Sequence, residues 1–170
     1  MMNLVDLQGK RILVTQADAF MGPVLCEVLA ECGAKVIADT GPLLTPERIE
    51  SLIQKAGHID VLIANLAIPA PNTQAVEATD DEWESVFAHM VTPLPRLVRA
   101  VLPQMIERRA GKILLMGSAS ALRGMKRRST YSAARGAQLA YVQSVGVEMA
   151  SLNIQVNAIA QNLVENPTYF

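Results

Sequence analysis

Aromatic residues are scarce in this chain: three Phe, three Tyr and one Trp among 170 residues, or 4%. A stacking surface for single-stranded nucleic acid needs such rings, so that class is disfavoured. Charge is sparse and balanced, with 15 Lys and Arg against 16 Asp and Glu and a net charge of −1. No basic footprint points to DNA or to an anionic membrane surface. Cysteine is limited to Cys26 and Cys32, which a helix would place on different faces, so neither a disulfide nor a metal pair is expected. His58 and His89 are far apart in sequence, and no Cys/His cluster has zinc spacing. No apolar run reaches the ~18 residues of a bilayer-spanning helix. Residues 1–10 carry Asp6 and lack the long apolar stretch of a secretory signal. These absences leave a cytoplasmic protein as the expectation.

What is plentiful is apolar residues, at 51%. That excludes a disordered chain, and the length suits a single domain over residues 1–170 with a sizeable core. Short apolar runs alternate with helical patterns. Strands are expected at Arg11–Thr15, Lys35–Asp39, Asp60–Asn65, Lys112–Met116 and Asn153–Ile159. Helices are expected at Met21–Cys32, Pro46–Ala56 with Thr45 as N-cap, Asp80–Arg109 and Thr130–Leu152. Pro93 and Pro95 must interrupt the third of these, because proline lacks a donor and clashes with the preceding turn. Such alternation implies an α/β fold: a Rossmann-like, doubly wound parallel sheet with helices on both faces. In that fold ligands bind beyond the carboxyl ends of the strands, so the chemistry is sought in the loops there.

The first of those loops reads Thr15-Gln16-Ala17-Asp18-Ala19-Phe20-Met21-Gly22. A dinucleotide site needs glycines here, so that backbone can approach a pyrophosphate at a helix N-terminus. Gly22 alone is present. Gln16 and Phe20 would fill the phosphate volume, unless the loop is merely a poorly conforming turn with Phe20 in the core. Asp39 ends the second strand, where an acid could bind a ribose hydroxyl; with the cradle blocked it reads as a turn residue.

The second half carries Ser118 at a strand end, Tyr131 thirteen residues on and Arg135 four further. Residues four apart share a helix face, so Tyr131 and Arg135 project together. A fixed cation beside a tyrosine favours the phenolate, which can serve as a base. A serine hydroxyl can then hydrogen-bond a substrate oxygen. Ser120 competes for that place, but the wider spacing favours Ser118. Alone, the Tyr/Arg pair would also suit a surface cation–aromatic contact.

Together these residues resemble the short-chain dehydrogenase/reductase superfamily, and most closely the halohydrin dehalogenases. The latter use Thr-x4-Phe/Tyr-x-Gly in place of the glycine loop, matched by Thr15, Phe20 and Gly22. They use Tyr-x3-Arg with a serine thirteen before the tyrosine, matched by Ser118, Tyr131 and Arg135. Other departures from the reductases agree: Ala64-Asn65-Leu66-Ala67 keeps only one residue of their Asn-Asn-Ala-Gly, and Met90 stands where their catalytic asparagine falls. The third strand and its helix, near which adenine binds in reductases, are curtailed to Thr40–Leu44.

The resemblance implies closure of vicinal haloalcohols to epoxides with loss of halide, and the reverse opening of epoxides by small anions such as halide, azide, cyanide or nitrite. It implies no cofactor. Tyr131 would remove the hydroxyl proton, Arg135 would support the phenolate and Ser118 would orient the substrate oxygen. The halide would lie among Phe20, Asn162, Leu163, Val164, Tyr169 and Phe170, with Gln161 where the family commonly has proline. Substrate size is not readable, because pocket-lining side chains such as Leu66, Leu122 and Met125 are not placed by the sequence. The resemblance also implies a homo-oligomer, paired through the helices holding Trp83–Arg109 and Thr130–Leu152, with Val98, Val101, Leu102, Ala133, Ala134, Ala137, Ala140 and Val142 at the contact. Family members extend some sixty residues further, so the chain reads as truncated, with a C-terminal strand missing. Two other functions stay open: an atypical NAD(P)-dependent reductase, and a non-catalytic scaffold or assembly protein.

Overall fold

The structure, a computed structural model, describes residues 6–164. Five parallel strands form one sheet: β1 (Arg11–Thr15), β2 (Lys35–Asp39), β3 (Val61–Ala64), β4 (Gly111–Ser118) and β5 (Ile154–Gln161). Their order across the sheet is β2-β1-β3-β4-β5. The helices are α1 (Gly22–Glu31), α2 (Pro46–Ala56), α3 (Asp80–Met90), α4 (Pro93–Arg108) and α5 (Ser129–Met149). The topology is that of a Rossmann-like fold, as the alternation of patterns predicts.

Side chains leave a strand alternately to its two faces, and the core divides accordingly. Leu13, Leu62, Ile113, Leu115, Ile154 and Val156 share one buried cluster with α2, α4 and α5. Ile12, Val14, Ile63 and Met116 belong to a second cluster, against Met21, Leu25, Cys26 and Leu29 around α1. Cys26 is thus a packing residue, and burial pushes its thiol pKa up. Both cysteines are free thiols.

The helix ends follow local chemistry. Thr45 Oγ1 accepts the Arg48 N–H at 3.3 Å, with Pro46 in the first turn of α2. Thr79 Oγ1 accepts the Glu82 N–H at 3.2 Å, and Asp80, Asp81 and Glu82 sit at the favourable end of the α3 dipole. The break expected from proline falls at Val91–Thr92. Pro93 opens α4, where its missing donor costs nothing, and Pro95 follows within the same turn. Pro103 lies inside α4 at an exposed position.

Two expectations need correction. Val98, Val101, Ala134 and Val142 are 0–2% exposed within this chain's own core, so they are not available to a second copy. Asp39 is not a turn residue: it closes β2, is buried, and is ion-paired to Arg48 of α2. Among the described residues no helix is long and apolar enough to cross a membrane.

Candidate active site

At the carboxyl ends of the strands lies a cleft of about 400 Å³. Phe20 and Met21 line it from the first loop, Ser118 and Ser120 from the end of β4, Tyr131 and Arg135 from α5, and Asn162–Val164 from the segment after β5. Seven of the nine residues expected from sequence therefore meet in one place. Tyr169 and Phe170 lie outside the described residues. Met125 lines the cleft, whereas Leu66 is a core residue, 1% exposed, and Leu122 is not among the lining residues.

The Tyr131–Arg135 pair is fixed by its surroundings. Arg135 Nε donates to Tyr131 Oη at 3.0 Å, and the guanidinium carbon lies 5.1 Å from the ring centroid. Arg135 is only 5% exposed. A buried guanidinium must have its donors satisfied, and Nη1 donates to the Met116 carbonyl at 2.9 Å, the Leu66 carbonyl at 3.2 Å and Gln138 Oε1 at 3.0 Å. The cation therefore has one orientation, with Nε toward the phenol at the cleft.

Ser118 is oriented by the serine that seemed its rival. Ser118 Oγ accepts the Ser120 N–H at 3.2 Å and the Ser120 hydroxyl at 3.0 Å. With its lone pairs engaged, the Ser118 hydroxyl is left to donate.

A second support comes from α3. Glu82 accepts the Thr130 hydroxyl on Oε1 and the Thr73 hydroxyl on Oε2, each at 2.7 Å. These bonds, Thr73 first and then Thr130, hold the Glu82 carboxyl below the usual range. They tie the residue preceding Tyr131 to the loop after β3. Arg128 clamps the same loop through the carbonyls of Ala70 and Pro71. Neither Glu82 nor Gln138 was singled out from sequence, because neither belongs to a short motif with the tyrosine. The seven-residue step from Tyr131 to Gln138, two helical turns on one face, is the signal that was available.

The first loop keeps a glycine-like backbone while carrying side chains. Gln16 and Phe20 adopt φ of +45° and +53°, the left-handed region that glycine enters most readily. Gly22 cannot be replaced so simply, since a Cβ there would strike the backbone of Gln16 and Ala17. The Gln16 amide donates to the Ala67 carbonyl at 3.0 Å and accepts the Ala67 N–H at 2.8 Å. This closed pair bolts the first loop to the loop after β3. Asn65 Nδ2 adds bonds to the carbonyls of Gln16 and Ala19, both at 3.0 Å.

Comparison with known proteins places this geometry. The short chain dehydrogenase family model matches residues 44–169. The chain belongs to the short chain dehydrogenase family. Among curated relatives, 3-oxoacyl-acyl-carrier-protein reductase FabG of Vibrio cholerae is 30% identical, over 95% of this chain and 76% of its own length. FabG of Escherichia coli is 29% identical over the same shares. A solved structure described as a dehalogenation enzyme is 30% identical, with a TM-score of 0.86, over 96% of this chain and 76% of its own. The structure of gox2181, at 23% identity and a TM-score of 0.89, shares the fold.

Short chain dehydrogenases that are reductases carry a nicotinamide nucleotide. The residues here do not fit one. Its pyrophosphate would lie against the first loop, where Gln16 and Phe20 place side chains at the glycine positions and Gln16 is locked onto Ala67. The acid that could meet the ribose, Asp39, is buried and bonds Arg48 through Oδ1, while its Oδ2 has no partner among the described residues, so the misfit rests on the first loop.

Proposed function

We propose that this short chain dehydrogenase family member is a halohydrin dehalogenase, a cofactor-independent lyase that closes vicinal haloalcohols to epoxides and releases halide. The observation that carries the reading is the buried guanidinium of Arg135, held by three acceptors on one side and bonded to Tyr131 Oη on the other. The dehalogenation enzyme similar over 96% of this chain supports it, as does a first loop that does not fit a nucleotide.

The steps follow from the site. The substrate hydroxyl meets the Ser118 hydroxyl, which donates to its oxygen, and Tyr131 Oη, which as phenolate takes its proton. Arg135 supports the phenolate through a charge-assisted bond. The resulting alkoxide attacks the neighbouring carbon from the side opposite the halogen. A C–O bond forms, the C–halogen bond breaks, and the electron pair leaves with the halide. Holding both ends of one small molecule in line favours this intramolecular step. The halide departs toward Phe20, Asn162, Leu163 and Val164, which line the same cleft. Run backwards, a small anion opens an epoxide and Tyr131 returns the proton.

The same reading takes the enzyme as a cytoplasmic homo-oligomer. Ala133 and Ala140 of α5, exposed in the single chain, are the part of that helix proposed for pairing.

Halide release from 1,3-dichloro-2-propanol without nucleotide tests the function. Tyr131→Phe keeps the ring and removes the proton acceptor, so the rate is expected to fall by about 10²–10⁴-fold. A variant retaining more than a tenth of the parent rate would remove Tyr131 from the role of base.

The relatives by sequence favour a second reading, that of a carbonyl reductase. It requires a nucleotide in the first loop, and the test for it is binding of NADPH by calorimetry. Micromolar affinity would replace the dehalogenase reading with this one.

A further inference from the structure

Gln138 is fully buried, with no exposed surface, in the middle of α5. Its amide is used at both ends. Oε1 accepts Arg135 Nη1 at 3.0 Å, while Nε2 donates to the Met90 carbonyl at 2.6 Å and the Leu66 carbonyl at 3.3 Å. The amide cannot be turned over: its NH₂ would then face a guanidinium and its oxygen two carbonyls. One neutral side chain thus joins the cation to the end of α3 and to the loop after β3.

We propose that Gln138 is the positioning residue for the catalytic pair: it sets how much of the Arg135 charge is delivered to Tyr131. This rests on the reading of Tyr131 as base. Two properties of the amide matter. It offers the guanidinium an acceptor of no net charge, so the attraction between cation and phenolate is not shared with a second anion. It also fixes Nη1 in place, which holds Nε on the phenol oxygen. A carboxylate at this position would compete for the same cation at hydrogen-bond distance, at a buried position where solvent screens it little. A thioether of similar length would fill the space and let the guanidinium tilt.

Among the described residues, the charged groups around Tyr131 are Arg135 from its own helix, Arg128 from the preceding loop, and Glu82 from α3 by way of Thr130. All three are unchanged in a Gln138→Glu variant, so a change in tyrosine ionisation reports the exchange at this position.

The experiment labels tyrosine with carbon-13 at Cζ and follows its NMR shift with pH in the full chain. Tyr131→Phe identifies the Tyr131 signal against those of Tyr141 and Tyr169. Gln138→Glu is expected to move Tyr131 ionisation upward by at least one pH unit, a tenfold change in the phenolate population at a given pH. A midpoint within 0.3 unit of the parent overturns the proposal. If Gln138→Glu does not fold, Gln138→Met decides. A kcat for halide release at least fivefold lower with KM within twofold supports the proposal, and a kcat within twofold of the parent overturns it. The NMR titration needs no turnover. A parent that releases no halide therefore defeats the proposed function, while the titration still judges Gln138 separately.

Discussion

Arg135→Lys tests whether the guanidinium fork, rather than positive charge alone, makes the site. Arg135 serves four acceptors: Tyr131 Oη, Gln138 Oε1 and the carbonyls of Met116 and Leu66. A lysine brings three N–H donors from a single atom, which cannot reach along two edges as a guanidinium does. The Leu66 carbonyl keeps its bond from Gln138, but a single ammonium cannot reach Tyr131 Oη, Gln138 Oε1 and the Met116 carbonyl together, so one of these loses its partner at a site where the residue is 5% exposed. An unsatisfied buried acceptor costs about 1–3 kcal/mol. For a chain of this size that is a fall in Tm of about 2–12 °C. If the ammonium settles on the carbonyls, the bond to Tyr131 is the one lost. A charge-assisted bond of about 1.5–3 kcal/mol then corresponds to a rate about 10–150-fold lower. Differential scanning calorimetry and halide release read the two effects on one preparation. A variant within 1 °C in Tm and twofold in rate would refute the argument that geometry, and not charge, is what Arg135 contributes. Because the first loop still does not fit a nucleotide, the lysine is not expected to create NADPH-dependent reduction.

Leu97→Ala removes a side chain with no exposed surface from the cluster between α4 and the sheet; a loss of about 2–5 kcal/mol in urea unfolding is expected, and less than 1 would contradict close packing there. Ser120→Ala leaves Ser118 Oγ with the backbone donor alone. Halide release is expected to fall severalfold with the fold intact, and an unchanged rate would show that Ser120 does not orient Ser118. The Asp60 carboxyl is lowered from 3.8: burial raises it, but the Arg11 N–H, the His58 hydrogen bond, and the His58 and Lys10 charges together outweigh that. A folded value below the unfolded one stabilises the protein above pH ~4, and the contribution is lost as pH falls through the folded value. The urea midpoint of the parent should therefore exceed that of Asp60→Asn at pH 7 and approach it by pH 3. A gap that does not narrow would contradict the assignment.

Much of the site was legible because its chemistry is local in sequence. Tyr131 and Arg135 occupy one turn of one helix, Ser118 follows a strand end, and the first loop betrays itself by the residues at its glycine positions. The strands were legible for a similar reason, since parallel strands covered by helices read as short apolar runs. What escaped is what only folding assembles. Gln138, Met90 and Leu66 meet from three separate elements, and Glu82 reaches Thr130 from α3. Ser120 looked like an alternative to Ser118 because spacing along a chain cannot show that one hydroxyl donates to the other. An apolar helix face such as that of Val98 or Val142 looks the same in sequence whether it meets its own sheet or another subunit. The ion pair of Asp39 with Arg48 was hidden by the missing strand–helix unit, which brings α2 directly after β2.

The most direct test of the account measures halide and nucleotide in the same experiment. The chain is incubated with 1,3-dichloro-2-propanol with and without NADPH, chloride is followed by ion chromatography, and NADPH affinity is measured by calorimetry on the same preparation. The account predicts chloride release at the same rate in both samples, an epoxide as the organic product, and no NADPH binding. Micromolar NADPH binding without chloride release would contradict it.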